Sequence, residues 1–146
     1  RGVGLSAPQV DESLAVFVTY LPQEAEDTEP TMRSFINPHM VMQSDEKTFG
    51  DDPEKPILEG CLSIPSLYGP VPRHSWVKFE YQVIENDMLK TKTETFHDFT
   101  ARVMQHELDH LYGVLFTDYI LEFDLPLYSD AKGKLIEIDK KIAEKF

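Results

Sequence analysis

Gln105-His-Glu-Leu-Asp-His110 lies inside Phe99 to Tyr112, the segment of this chain that reads most plainly as a helix. Two histidines four apart on a helix are offset by roughly 40° about its axis, so both imidazoles reach toward one ion. Glu107 adjoins the first of them and is placed to take a proton from a water activated there. Asp98 or Thr100 is the expected N-cap and Gly113 the stop signal. The apolar or ligand-bearing face of the helix is expected to include Phe99, Val103, His106 and His110.

Strands are expected on the N-terminal side of this helix. Trp76-Val-Lys-Phe-Glu-Tyr-Gln-Val-Ile84 alternates apolar and polar residues, the pattern of a half-buried strand. Glu85 to Met88 reads as a turn and Leu89 to Phe96 as the returning strand. Leu14 to Leu21 is a further strand, Phe35 to Pro38 another that its proline limits, and Val41 to Phe49 a third. Gly2 to Gln9, rich in small residues, reads as a loop or an irregular edge. Pro22 to Pro30 and Gly50 to Pro56 read as acidic surface loops. The tail from Leu135 to Ala143 suits helix and strand equally.

The whole chain has 146 residues and one cysteine, and its net charge of −12 argues against a nucleic-acid backbone or an anionic lipid surface as partner. No apolar run approaches a membrane span. The length suits a single domain, 1–146. The chain opens at Arg1 with no visible signal or transit peptide, so it reads as N-terminally truncated.

Two histidines do not complete a catalytic metal site, which usually has three protein ligands and one open position. Downstream stand Glu122 and Glu137, neither in a telling context. Upstream stands Cys61, within Glu59-Gly-Cys-Leu-Ser-Ile-Pro65. A lone cysteine is often a small buried core residue. Beside a His pair that lacks a third ligand, the metal-ligand reading is the stronger one. Gly2-Val-Gly-Leu-Ser-Ala-Pro-Gln9 fits neither a dinucleotide fingerprint nor a P-loop, and its glycines suggest close backbone approach.

In series, Gly2 to Gln9, Glu59-Gly-Cys-Leu-Ser63 and Gln105 to His110 resemble the three signature motifs of the peptide deformylase family. The likeness extends to Ile36-Asn37-Pro38, Val71-Pro72-Arg73 and Leu111-x-Gly113-x-Leu-Phe116. It implies an α+β fold in which antiparallel β-sheets wrap a central helix bearing HExxH. It implies a metallohydrolase that removes the N-formyl group from N-formylmethionyl nascent peptides, with transient proximity to the ribosome. Cys61, His106 and His110 would hold one divalent ion, Fe²⁺ in function, with Zn²⁺, Ni²⁺ or Co²⁺ as replacements. Glu107 would be the general base, and the Gln9 side chain and the Leu62 N–H the oxyanion donors. The peptide would pair, strand-like, near Gly4 and Gly60, with its methionine near Val3, Leu58, Phe99, Val103 and His106.

Several positions depart from the family's pattern. Ser6 stands where Ala is commoner, a variant familiar from organellar members and expected to be harmless. Asp11 lies where many members have a nearby Gly, and Tyr68 where some bacterial members carry a peptide-binding Arg. Arg102 takes a position often apolar; it is expected either there or as a surface cation that snorkels away. Together with the acidic insertion, Ser6-Ala7-Pro8 points to a mitochondrion or other organelle, with the bacterial cytoplasm as the alternative. Two further functions fit parts of the pattern: an HExxH peptidase that cuts peptide bonds, marked by a downstream Glu or His ligand, and an inactive deformylase-like peptide-binding module.

Overall fold

The computed structural model describes residues 2–23 and 29–146. Most of the acidic stretch expected as a loop at Pro22–Pro30, including Glu24, Glu26 and Asp27, lies outside the described residues. In chain order the strands are β1 (Gly4–Ser6), β2 (Val16–Leu21), β3 (Thr31–Gln43), β4 (Lys47–Thr48), β5 (Leu58–Cys61), β6 (Ile64–Pro70), β7 (Arg73–His74), β8 (Trp76–Glu85), β9 (Met88–His97), β10 (Leu127–Ala131) and β11 (Lys134–Ile138). The helices are α1 (Asp98–Leu111) and α2 (Phe116–Glu122), with 3₁₀ turns at Ala7–Val10 and Lys140–Lys145. This is the α+β, antiparallel composition expected. Among the described residues no helix is long and apolar enough to cross a membrane.

The chain divides into two compact units, Arg1–Lys47 with Arg73–Gly113, and Thr48–Pro72 with Val114–Phe146. In the first unit a five-stranded antiparallel sheet runs in the order β1-β2-β3-β8-β9. The alternation of β8 sends Val77, Phe79 and Tyr81 to one face. There they meet Phe17, Phe35 and Phe96 from the neighbouring strands and Ala101, Met104 and Leu108 from α1. Burying each of these large side chains contributes about 1.5–3 kcal/mol, and this contact seats α1 on the sheet. The β8–β9 turn is the two-residue loop Asn86-Asp87, both at positive φ (51° and 60°), the conformation whose twist matches a hairpin.

Beside the aromatic layer, Arg33 Nη2 donates to Glu94 Oε2 at 2.6 Å and to Tyr81 Oη at 2.9 Å, while the Tyr81 hydroxyl donates to Glu94 Oε2 at 2.8 Å. Burial, and then the hydrogen bond to Glu94, push the Tyr81 hydroxyl up to about 12. Burial alone would raise the Glu94 carboxyl, but the hydrogen bonds from Arg33 and Tyr81 outweigh it and hold Glu94 below the ordinary range.

In the second unit the sheet order is β11-β10-β6-β5, also antiparallel. Ile64 and Val71 pack with Phe116 and Ile120 of α2, Leu127 and Ala143.

Two expectations are corrected and two open ones are decided. Gly4–Ser6 is an edge strand followed by a 3₁₀ turn, the edge rather than the loop, because it hydrogen-bonds along β2 in the register Gly4↔Thr19 to Ser6↔Phe17. Thr31–Gln43 is one strand through Pro38 rather than two, because the proline falls at a register shift between Ile36 and His39, where no ladder N–H is required. The N-cap of α1 is His97, extended at φ −123° and without a side-chain bond; Asp98 instead adopts φ 50° in the first turn. The tail is a strand as far as Ile138 and a 3₁₀ turn beyond it.

Candidate active site

Helix α1 carries Phe99, Val103, His106, Glu107 and His110. It ends as expected: Gly113 takes φ +73° and its N–H donates to the His110 carbonyl at 3.2 Å. The Nε2 atoms of His106 and His110 face each other at 3.2 Å. Two nitrogens bound to one tetrahedral ion stand roughly 3.4 Å apart at the usual bond length of ~2.1 Å, so this pair suits a shared divalent ion. A soft thiolate added to two imidazoles would make a donor set that accepts Zn²⁺ and Fe²⁺ alike.

The Glu107 carboxylate meets β1 and is only 4% exposed. The Ser6 hydroxyl donates to its Oε2 at 2.7 Å and also lies 2.9 Å from its main-chain oxygen. On the other side, a Cβ built on Gly4 would stand 2.7 Å from the Glu107 Cδ, so any side chain there would displace the carboxylate. The close approach that Gly4 permits is therefore to the carboxylate of its own chain. Gln9 is tied to the same strand, its Oε1 accepting the Ser6 N–H at 2.8 Å. That bond assigns the two ends of the amide, with the –NH₂ as its donor end. Asp11, which closes this turn, adopts φ 68°, a left-handed conformation that Asp tolerates. The backbone freedom expected from a nearby glycine is thus supplied by Asp11.

Two side chains lock the helix to β7. Gln105 accepts the His74 N–H at 3.0 Å and donates to the His74 carbonyl at 3.0 Å. Arg73 pairs with Asp109 at 2.5 Å. Arg102 is 3% exposed and does not snorkel to the surface. Of the residues expected around a methionine side chain, Val103 is buried, Val3 and Gly4 are half-buried, and Phe99 stands 46% exposed.

The second unit holds the others. Leu58, Gly60 and Cys61 lie on β5, which is the edge strand of its sheet. A register shift falls between Gly60 and Cys61, and such a bulge re-aims the side chain that follows it. Cys61 packs partly against the core of this unit. Gly60 pairs with Tyr68, whose ring would lie 2.6 Å from a Cβ there, so Gly60 is required by Tyr68. Leu62 follows in the turn with its side chain 60% exposed. Glu122 and Glu137 are both exposed.

Sequence reasoning overlooked the part played by Ser6, which it took as neutral. Arg73 and Gln105 were both visible within motif segments, but their tasks were not. The model of the polypeptide deformylase family matches residues 1–124.

The chain belongs to the polypeptide deformylase family.

It is 41% identical over 119 residues to the peptide deformylase of Pseudothermotoga lettingae, covering 82% of this chain and 59% of that protein. With the Cytophaga hutchinsonii peptide deformylase it shares 41% over 141 residues, 96% of this chain and 70% of the relative. Against the crystal structure of Thermotoga maritima peptide deformylase the TM-score is 0.67 at 34% identity, covering 81% of this chain and 69% of that one. The Met-Ala-Ser-bound crystal structure of the class I type b peptide deformylase from Acinetobacter baumannii gives 0.67 at 34%, with 82% and 70% covered. The chain thus spans about three fifths to seven tenths of the length of these relatives.

Proposed function

We propose that residues 1–146 act as one catalytic domain that hydrolyses the N-formyl group of N-formylmethionyl peptides. The observation that carries this reading is the grouping, on α1 and on the 3₁₀ turn after β1, of the facing His106 and His110 nitrogens, the buried Glu107 carboxylate and the oriented Gln9 amide. Family membership supports it, as does the Met-Ala-Ser peptide named in one relative's structure.

Cys61, His106 and His110 would hold one divalent ion, Fe²⁺ in function and Zn²⁺, Ni²⁺ or Co²⁺ in its place. Such an ion supplies Lewis acidity and brings a water's pKa near neutrality. Glu107 accepts the water proton as the formyl carbon is attacked. The Gln9 –NH₂ and the Leu62 N–H donate to the developing oxyanion. Glu107 then returns the proton to the departing amine nitrogen, the C–N bond breaks, and formate and a free methionyl amine result. β1 and β5 are both edge strands of their sheets, which suits a peptide added strand-wise near Gly4 and Gly60. The methionine side chain would rest near Val3, Leu58, Phe99 and Val103.

Formylated initiation places such substrates, and with them nascent chains near the ribosome, in bacterial cytoplasm or in an organelle. The bacterial relatives support the first, and Ser6-Ala7-Pro8 supports the mitochondrion or another organelle. The test is turnover of formyl-Met-Ala-Ser beside acetyl-Met-Ala-Ser and Met-Ala-Ser. Release of formate from the first alone is expected. Cleavage of the Met-Ala bond would instead mark a peptidase.

A further inference from the structure

We propose that Ser6 is a positioning residue for Glu107, its hydroxyl holding Oε2 and with it the orientation of the whole carboxylate. The inference rests on the deformylation reading above. Ser6 is wholly buried, and a buried hydroxyl must find an acceptor. It has one hydrogen and two oxygens in reach, Oε2 of Glu107 at 2.7 Å and the Glu107 main-chain oxygen at 2.9 Å. The side-chain oxygen is the nearer of the two and takes the hydrogen. Oε2 is thereby committed to Ser6, while Oε1 lies on the side of Gly4.

The clamp is two-sided. The Ser6 bond holds the carboxylate on one side, and on the other it packs so near Gly4 that a Cβ there would stand 2.7 Å from its Cδ. Ser6 also acts through a second atom, since its main-chain N–H orients Gln9 at 2.8 Å. One residue of β1 thus aligns both the proton carrier and an oxyanion donor, 101 positions apart along the chain from the helix that it serves. Ser6→Ala separates the two tasks, because it deletes the hydroxyl and keeps the N–H. Alanine is smaller, so it fits the buried position without a clash.

The experiment combines high-resolution crystal structures of the metal-loaded wild type and Ser6→Ala with formyl-Met-Ala-Ser kinetics of both. It repeats the kinetic comparison in a Glu107→Ala background. The wild type is expected to show a single Glu107 carboxylate orientation and the variant two or more. The kcat should fall about 3- to 10-fold with KM unchanged, the mark of lost alignment rather than lost binding. In the Glu107→Ala background Ser6→Ala should cost nothing more, because Ser6 acts through that carboxylate. One unchanged carboxylate orientation in Ser6→Ala would overturn the proposal, and so would an equal loss with Glu107 absent. A wild type that releases no formate would sink the deformylation reading alone, since carboxylate order still decides whether Ser6 positions Glu107.

Discussion

Arg73 Nη1 meets Asp109 Oδ2 at 2.5 Å, with the Arg73 side chain 3% and the Asp109 side chain 20% exposed. Asp109 stands between Leu108, in the core, and His110, so the pair ties β7 to the turn of α1 that carries a site imidazole. Removing one partner of a buried pair leaves the other charge poorly solvated. Arg73→Met is therefore expected to destabilise the protein by about 3 kcal/mol in urea unfolding, less than a fully enclosed pair because Asp109 retains some solvent. A loss below about 0.5 kcal/mol, the level of a surface pair, would show that the ion pair does not anchor the helix.

Glu107→Ala is expected to keep metal stoichiometry, since Glu107 is not one of the three proposed ligands and its carboxylate is held by the Ser6 hydroxyl. Formyl-peptide turnover should fall by about 10²- to 10⁴-fold, the usual weight of a general acid–base group. Near-normal kcat with full metal content would remove Glu107 from the mechanism.

Gly4→Ala places a methyl 2.7 Å from the Glu107 Cδ and 2.8 Å from its Cγ. The buried glutamate must shift, and a displacement near 1 Å costs on the order of 10²-fold in rate. Steady-state kinetics check this against circular dichroism, which should show a folded protein. Unchanged kcat would mean that the carboxylate has room to move without consequence.

The Arg33–Tyr81–Glu94 cluster sets a pH dependence of its own. Tyr81, held up to about 12, should remain protonated at pH values where a free tyrosine side chain ionises. Its contribution to stability is whole below the unfolded value near 10 and is lost as pH rises through about 12. Phenolate absorbance of wild type against Tyr81→Phe reads this directly. Glu94 acts at the other end of the scale. Its folded pKa is lowered, so its stabilisation is present above the unfolded value of about 4.3 and lost as pH falls through the folded one. Arg33→Met should accordingly move acid unfolding to higher pH.

Metal identity should separate rate from durability. Zn²⁺ outranks Fe²⁺ in affinity for a mixed sulfur and nitrogen donor set, so purified protein is expected to carry zinc. The Fe²⁺ form should turn over faster, because iron adds a fifth ligand more readily, and should decay in air as Cys61 climbs the oxidation ladder or iron reaches Fe³⁺. Kinetics under argon and air, with mass spectrometry of Cys61, decide it; equal rates or an air-stable iron form would refute it. Cys61→Ala should lose tight one-to-one metal binding, and unchanged content would exclude the thiolate as a ligand.

Local pattern alone determined a good deal about this chain. Alternation in Trp76–Ile84, the two-residue turn at Asn86-Asp87 and the i, i+4 histidines of α1 each depend on residues close in sequence, where period and backbone preference decide the outcome. The three motifs in series also identified the family. Tertiary structure alone decided what is non-local. Ser6 meets Glu107 across 101 positions, and no periodicity in either segment announces it. Pro38 ends no strand because β8 tolerates a bulge there, Arg102 is buried although Arg usually is not, and Gly60 answers to the ring of Tyr68. In each case the deciding term is a partner brought in by folding, and the chain spells that partner in a different place.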